Sequence, residues 1–415
     1  MLKKYRFAGV VLRFGMLFVS ITGMLPALSM AWAAEPVAVY LTWREDPTST
    51  MVIHWHSPDA ENAITAVAYA EADAAADAEA WVEIGAWSRS MLGSDRIIHK
   101  TELGGLKPAT RYAFRFAEDA EQYFFETMPA QLEEPIRFVV GGDSAPYPLM
   151  ADMCREAAAR DPHFAVIGGD IAYGNADPAL IARWYAWFEW WHNNMIAPDG
   201  RLIPVVVGIG NHEVAERYVD RGATYASAPY FTSLFAFPGL PGYGVLDFGD
   251  YLSLILLDTG HLNEIPGQQT DWLEQVLVGR QNQKHIVPVY HVPGYPSHRD
   301  FDGRLQTEVR EYWVPLFERA GVRMAFENHD HTFKRTHPIL AGELDEAGIV
   351  YLGDGAWSVD LREPVDPDET WYLDKAESRH HVFIVTLDED GADVEALDPT
   401  GVVFDDVRIT RSHVE

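Results

Sequence analysis

From Pro36 to about Pro129 the chain carries short runs in which apolar and polar residues alternate with a period of two, separated by turn residues. Residues 37–43, 51–57, 65–72, 96–103, 111–117 and 123–127 are such runs. Several short strands at this spacing predict an all-β sandwich of about 100 residues, placed at 36–130. A link at 131–135, containing Pro135 and two glutamates, ends that texture. Beyond it, 137–140, 164–167, 203–207, 252–257 and 286–290 are near-continuous apolar runs, the pattern of strands buried on both faces. Between them, 148–160 and 177–194 have helical periodicity, so 135–415 reads as an α/β domain. The later strands at 348–352, 381–387 and 393–396 have shorter connections and predict a second, partly antiparallel sheet packed on the first.

Some segments attract a functional reading that their pattern does not support. Trp184, Trp187, Trp190 and Trp191 are spaced as a helix packing on a core, not as a ligand-stacking platform. The Ala- and Asp-rich piece at 71–80 is a short helix or a solvated loop. Leu106-Lys107-Pro108-Ala109-Thr110-Arg111-Tyr112 resembles the corner of fibronectin type III domains, in which a tyrosine hydroxyl bonds back to the upstream backbone. That resemblance makes Tyr112 structural and the amino-terminal sandwich fibronectin type III-like.

The amino terminus reads as an export signal over 1–33. Lys3, Lys4 and Arg6 form a basic start, residues 8–30 are almost wholly apolar, and Ala31-Trp32-Ala33 places small residues for cleavage after Ala33. The apolar stretch is also long enough to suit an uncleaved anchor. With cleavage the chain is periplasmic or secreted, with no stable membrane insertion. A single cysteine, Cys154, excludes an intramolecular disulfide, and its place in a helix following a strand makes it a small buried hydrophobe. The formal charge is −30 and becomes more negative once the basic start is removed. Such a surface argues against nucleic acid or anionic lipid as the main partner, because those need clustered Lys and Arg.

The candidate chemistry lies where the apolar runs stop. Phe138-Val139-Val140-Gly141-Gly142-Asp143, Ala165-Val166-Ile167-Gly168-Gly169-Asp170-Ile171-Ala172-Tyr173 and Val207-Gly208-Ile209-Gly210-Asn211-His212-Glu213 end in polar tips, as do Val289-Tyr290-His291 and Asn328-His329-Asp330-His331. In an open α/β sheet the carboxyl ends of strands face one crevice, so these tips are expected to meet there. One Gly-Gly-Asp or His-x-His alone is commonly a turn or a surface strand pair; five strand-end segments in order are not. Carboxylates, a phenol, an amide oxygen and imidazoles, with no thiolate, suit iron, manganese or zinc. A two-metal site needs a shared anion, for which Asp170 is the candidate. Asp143, Tyr173 and His331 then complete one ion, and Asn211, His291 and His329 the other.

This ordered set resembles the calcineurin-like metallophosphoesterase superfamily, and Tyr173 resembles the tyrosine of its purple acid phosphatase branch. The resemblance implies a two-sheet catalytic sandwich flanked by helices and a binuclear centre of Fe(III) with Fe(II), Zn(II) or Mn(II). Tyr40-Leu41-Thr42-Trp43 with Asp46-Pro47 is similar to the opening of the family's β-domain, and Arg335-Thr336-x-Pro338 and residues 348–355 are similar to its continuation. Departures are Ala145 for a Gly or His in the first motif, Asn328 for the glycine of the last, with Glu327 before it, and Pro288 inside a strand. These leave the ligand set whole and bear on substrate preference.

The reading implies hydrolysis of a phosphorylated small molecule, a phosphomonoester, with hydroxide on the metals as nucleophile. His212 is placed to hydrogen-bond the phosphoryl group or protonate the leaving oxygen, and His298 resembles the family's second substrate histidine. Glu213 and Asp330 are expected to orient ligand imidazoles or to be exposed carboxylates, and Arg335 to contact phosphate or form a structural ion pair. The competing functions are a phosphodiesterase using the same centre and a non-catalytic surface binding protein.

Overall fold

The computed structural model describes residues 35–411. The export signal, its cleavage after Ala33 and the anchor alternative lie outside the described residues. No helix among those described is long and apolar enough to cross a membrane.

Two antiparallel four-stranded sheets form the amino-terminal sandwich. One is ordered Ala38–Thr42, Met51–Ser57, Ile97–Leu103, Trp87–Ser90, and the other Val82–Gly85, Ala66–Glu71, Arg111–Arg115, Tyr123–Glu126. Strands Val82–Gly85 and Trp87–Ser90 were not legible in the sequence, because almost every residue in them is exposed and no apolar face repeats. At the predicted corner the Lys107 N–H donates to the Tyr112 hydroxyl at 2.9 Å. The 71–80 piece is a turn closed by the short 3-10 helix Ala78–Ala80, capped by Asp77.

Strands Ala38–Thr42 and Met51–Ser57 are buried at every position, which period-two alternation with a wet face does not predict. The cause is helix Ile181–Asn194, which covers their second face. The Tyr40 ring lies 4.6 Å from that of Phe188 at a tilt of 32°, and its hydroxyl donates to the Leu234 carbonyl at 2.6 Å. On the first face Trp43 meets Phe164 and Phe248, so one apolar core runs from the sandwich into the α/β part. Trp184, Trp187 and Trp191 are core residues of that helix, with Trp190 partly buried beside them.

The α/β part contains two sheets. The first is ordered Val205–Val207, Phe164–Ile167, Ile136–Gly141, Val382–Leu387, Gly391–Leu397, Val403–Thr410; its first three strands are parallel and the rest antiparallel. The second centres on parallel strands Leu252–Leu257, His285–Tyr290, Met324–Phe326 and Val350–Gly353. Here the expected topology needs correction. Strands 381–387 and 393–396 extend the first sheet, because Val382–Leu387 pairs with the free edge of Ile136–Gly141 across some 245 positions of sequence, a pairing that short local connections do not reveal.

Alternation explains the layering. Phe138 and Val140 face the core between the sheets, where they join Leu254, Leu256 and Val289, while Val139 faces the helices Pro148–Ala158 and Ile181–Asn194. Ile255 and Leu257 point the other way, under Gln268–Val278 and Val314–Arg319. Pro288 is tolerated in strand His285–Tyr290 next to a neighbour that the strand meets at the single pair Val289 and Phe326. Cys154 is buried in helix Pro148–Ala158, and burial pushes its thiol above the ordinary range.

Candidate metal centre

Six of the seven predicted ligands contact one another where the two sheets present the carboxyl ends of their parallel strands, and Asn211 stands between Gly210 and His212, whose backbones meet Asp170. Strands Ile136–Gly141, Phe164–Ile167 and Val205–Val207 lead to Asp143, Asp170 with Tyr173, and Asn211; His285–Tyr290 and Met324–Phe326 lead to His291, and to His329 with His331. The crevice is therefore shared by two sheets rather than lying along one. Asp143, Asp170, Tyr173, His329 and His331 have φ between 52° and 80°. Non-glycine residues held in this left-handed region cost about 1–3 kcal/mol each, and such positions cluster at functional sites. Here the twist takes five side chains off their strands and inward.

The side chains fall into two adjoining groups. In one, the Tyr173 hydroxyl donates to Asp143 Oδ2 at 2.7 Å, and His331 Nε2 lies 3.1 Å from that hydroxyl and 3.0 Å from Asp143 Oδ2. In the other, His291 Nε2 lies 3.2 Å from Asp170 Oδ2 and 3.1 Å from His329 Nδ1. Asp170, His291 and His329 are buried with ligand atoms within 4.8 Å of one another, a spacing a cation can bridge. The His329 N–H donates to Asp143 Oδ1 at 3.0 Å and joins the groups. His291 and His331 each set Nδ1 3.1 Å from a backbone carbonyl, of Gly168 and Asp360, which leaves Nε2 turned toward the carboxylates.

The Asn211 side-chain oxygen is buried with no hydrogen-bond partner among the described residues. A lone buried acceptor of this kind costs about 1–3 kcal/mol unless a cation or donor meets it. Electrostatics points the same way. Although burial opposes it, the Asp170 and Asp143 carboxylates push the His291 imidazole up to about 9. Burial pushes the Tyr173 phenol well above its ordinary value, and Asp143 and Asp170 add to it. Burial, with the charge of His291 adding to it, holds the His329 imidazole well below its ordinary value and keeps it a neutral donor, and the donor set fits a metal pair.

His212 adjoins this cluster. Its Nε2 is 3.8 Å from Asp170 Oδ2, its ring lies 4.2 Å from that of Tyr173, and Nδ1 is engaged by the Asn175 side chain. His298 is not in contact with the cluster; Nδ1 lies 2.7 Å from the Glu363 carbonyl and the side chain is exposed. Glu213 and Asp330 differ from both expectations. Each is buried and accepts backbone N–H groups: Glu213 those of Asp170, Ile171 and Gly210, and Asp330 those of Ser297, His298 and Arg299. They fix loop backbones, not imidazoles. Arg335 pairs with Asp405 and Asp374 and is the structural ion pair of its two readings.

The departures have packing explanations. Ala145 is buried against Tyr173 and Val359. Asn328 fills space that two glycines leave: a Cβ on Gly142 would lie 2.3 Å from its Oδ1, and one on Gly168 2.0 Å from its Nδ2. Its amide donates to the Tyr290 carbonyl at 2.9 Å. Glu327 accepts from the Tyr290 hydroxyl and the Gly294 N–H and pairs with the fully buried Lys334, which also meets Asp354 at 3.1 Å.

Sequence reasoning missed His261, Asn175, Arg217, Arg299 and Arg362. His261 follows strand Leu252–Leu257 and sits buried, its ring 5.5 Å from that of His291. It is a sixth polar tip after an apolar run, so the same rule finds it. The others lie in loops without periodicity.

Residues 36–128 match the family model described as Purple acid Phosphatase, N-terminal domain, and residues 136–333 the one described as Calcineurin-like phosphoesterase. The chain is similar to Purple acid phosphatase 21 of Arabidopsis thaliana, at 26% identity over 274 residues, covering 62% of this chain and 58% of that protein. An uncharacterised protein of Mycobacterium tuberculosis is 24% identical over 388 residues, 81% of this chain and 66% of that one. The chain thus spans under two thirds of the length of these curated relatives. In fold it is similar to a purple acid phosphatase from yellow lupin (Lupinus luteus) seeds, with TM-score 0.72 and 18% identity, covering 92% of this chain and 75% of that one.

Proposed function

The chain belongs to the calcineurin-like metallophosphoesterase superfamily, purple acid phosphatase type, and from that premise we propose that it is an exported phosphatase hydrolysing phosphomonoesters at a binuclear metal centre. The observation that carries the reading is the contact of six donor side chains from four remote segments, five of them on left-handed backbone, with Asn211 next in sequence to His212, whose N–H bonds Asp170. Asp143, Tyr173 and His331 would hold one ion and Asn211, His291 and His329 the other, with Asp170 shared. Fe(III) beside Fe(II), Zn(II) or Mn(II) suits these donors. Bound there, the ions would supply an activated water and neutralise charge on the phosphoryl oxygens.

The protein's own groups do the rest. His212 Nδ1 donates to the Asn175 side-chain oxygen, so Nε2 faces the cluster, and in the imidazolium form it would hydrogen-bond the phosphoryl group or give a proton to the leaving oxygen. Glu213 pins the turns that carry Asp170 and Asn211. His298 keeps Nε2 available at the rim for substrate. The division into a fibronectin type III-like sandwich at 36–130, supported by the Tyr112 corner, and a catalytic domain at 135–415 belongs to this reading. So does periplasmic or secreted placement, supported by the pattern of residues 1–33 and tested by the mass of the mature amino terminus.

The decisive assay compares a monoester and a diester of one aryl alcohol. Preference for the monoester is expected; a strong diester preference overturns that part and leaves the centre intact. Asp170→Asn should abolish both, and unchanged turnover would sink the hydrolytic reading. Elemental analysis with an absorption spectrum tests the metals. A visible band lost in Tyr173→Phe is expected, and an active, colourless, iron-free enzyme would remove iron from the reading.

A further inference from the structure

Two arginines converge on one atom beside the candidate centre. Arg299 Nη2 approaches the His329 carbonyl oxygen at 3.5 Å and Arg362 Nη1 approaches it at 3.3 Å. They come from different loops, and those loops are stitched together. The Val365 N–H donates to the Ser297 carbonyl at 2.7 Å, and His298 Nδ1 lies 2.7 Å from the Glu363 carbonyl. Buried Asp330 holds the first loop through three N–H groups and lies 3.1 Å from Arg299 Nε. The Arg362 N–H donates to the His331 carbonyl at 3.1 Å and ties the second loop to the other ligand.

Resting on the hydrolytic reading above, we propose that Arg299, Arg362 and His298 form a subsite for a second phosphoryl group, making the preferred substrates phosphomonoesters whose leaving group carries another phosphate. Two guanidiniums sharing one carbonyl repel each other and leave most of their ten N–H donors without a protein acceptor. Arg362 forms no ion pair with a carboxylate among the described residues, although the chain carries 62 Asp and Glu. A dianionic phosphoryl group between the two forks would satisfy those donors and remove the repulsion. Position fixes the role: both guanidiniums rest on the backbone of His329, whose ring belongs to the metal cluster, so the subsite adjoins the scissile phosphate without coinciding with it. Arg217 Nη1 lies 3.5 Å from His212 Nε2, so the His212 side of the cluster has a cation of its own. The reaction is unchanged: the P–O bond breaks, water oxygen replaces it on phosphorus, the alcohol oxygen takes a proton, and the second phosphate is held uncleaved.

The test compares butane-1,4-diol monophosphate and bisphosphate with metal-replete full-length enzyme, reading kcat/KM for phosphate release. Two equivalent esters give the bisphosphate a factor of two by statistics; the proposal expects about ten- to a hundredfold. Arg362→Gln and Arg299→Gln should bring the ratio near two, with Arg362→Lys between, and a ratio within one variant does not depend on how much of it folds. A ratio of two in the natural protein, or one unmoved by both Gln variants, overturns the proposal. Calorimetry with butylphosphonate and butane-1,4-bisphosphonate separates it from the hydrolytic reading. If neither ester is turned over but the bisphosphonate binds about tenfold tighter, and loses that margin in Arg362→Gln, the subsite stands and the hydrolytic reading falls. Equal binding of the two phosphonates overturns the subsite.

Discussion

His54-Trp55-His56 and His329-Asp330-His331 are the same three-residue pattern in different settings. The first lies inside strand Met51–Ser57, where residues two apart point to one face. Both its rings are buried on the side toward helix Ile181–Asn194, with His56 at 4.8 Å from Phe188. The second pair follows strand Met324–Phe326, and φ values of 80° and 59° send the two imidazoles into different halves of the candidate metal cluster. The partners differ as well. His54 Nε2 meets the Thr42 hydroxyl at 2.8 Å, His56 Nε2 lies 3.4 Å from the Tyr40 hydroxyl, and both Nδ1 atoms are buried without partners. His329 and His331 face carboxylates, a phenol and another imidazole. Spacing alone does not make a ligand pair; backbone twist and the charge of the neighbours do.

The sharpest way to break this comparison is to change one histidine of each pair. On the proposed reading His329→Gln removes a metal ligand, and it should lower kcat/KM by about 10³-fold or more and reduce bound metal. His56→Gln should leave the activity of each folded molecule unchanged and lower stability by about 1–3 kcal/mol. Kinetics normalised to folded protein, with elemental analysis, reads both. An equal catalytic loss in the two variants would erase the distinction.

A second difference is what stands behind each pair. The site pair is backed by charge, since Lys334, fully buried, meets Glu327 at 2.5 Å and Asp354 at 3.1 Å behind the loop that carries His329. Lys334→Met would strand two buried carboxylates, at a cost of about 3–5 kcal/mol in urea denaturation. A loss below about 1 kcal/mol would show that the network does not hold the loop. The sandwich pair is backed by hydroxyls and aromatic rings, which predicts a different sensitivity, to acid.

Burial, with Arg96 and His99 adding to it, lowers the His56 imidazole from its ordinary value to about 3; burial lowers His99 to about 4, and His54 also lies well below. These groups stay neutral when folded but take up protons when unfolded below about pH 6.5. The unfolded state then binds more protons, so stability falls as pH drops from about 6.5 toward 4. One fully buried histidine such as His56 contributes at most about 1.4 kcal/mol per pH unit in that window. The stability of the natural protein relative to His56→Phe should fall as pH drops below about 6.5, and parallel curves would refute the assignment.

Legibility followed the same physics. The seven donors could be read because each ends an apolar run, and a strand buried on both faces leaves few places for polar side chains other than its tips. Glu213 and Asp330 were visible as residues but not in their roles, since a carboxylate that accepts backbone N–H groups has no sequence period. Arg299 and Arg362 meet only because two loops fold over His329, a contact between distant segments. His54 and His56 look like wet-face residues of a strand until helix Ile181–Asn194 covers that face. The placement of Val382–Leu387 beside Ile136–Gly141 is likewise set by long-range pairing.

The smallest effect tests the partner of His54 alone. Thr42→Val keeps the shape of the side chain and removes the hydroxyl 2.8 Å from His54 Nε2, while His54 Nδ1 already lacks a partner. The variant leaves an imidazole buried with neither nitrogen satisfied, and about 1–3 kcal/mol of stability should be lost. In a His54→Phe background the same change removes a hydroxyl that no longer has its ring partner. The stack on Tyr40, at 4.7 Å, can persist with phenylalanine, so Thr42→Val there should be near neutral. The double-mutant cycle therefore isolates the hydroxyl–imidazole bond, with an expected coupling of about 1 kcal/mol or more. Zero coupling would mean that the sandwich histidines are held by packing alone, and that the contrast with the site rests on backbone twist rather than on the chemistry of the partners.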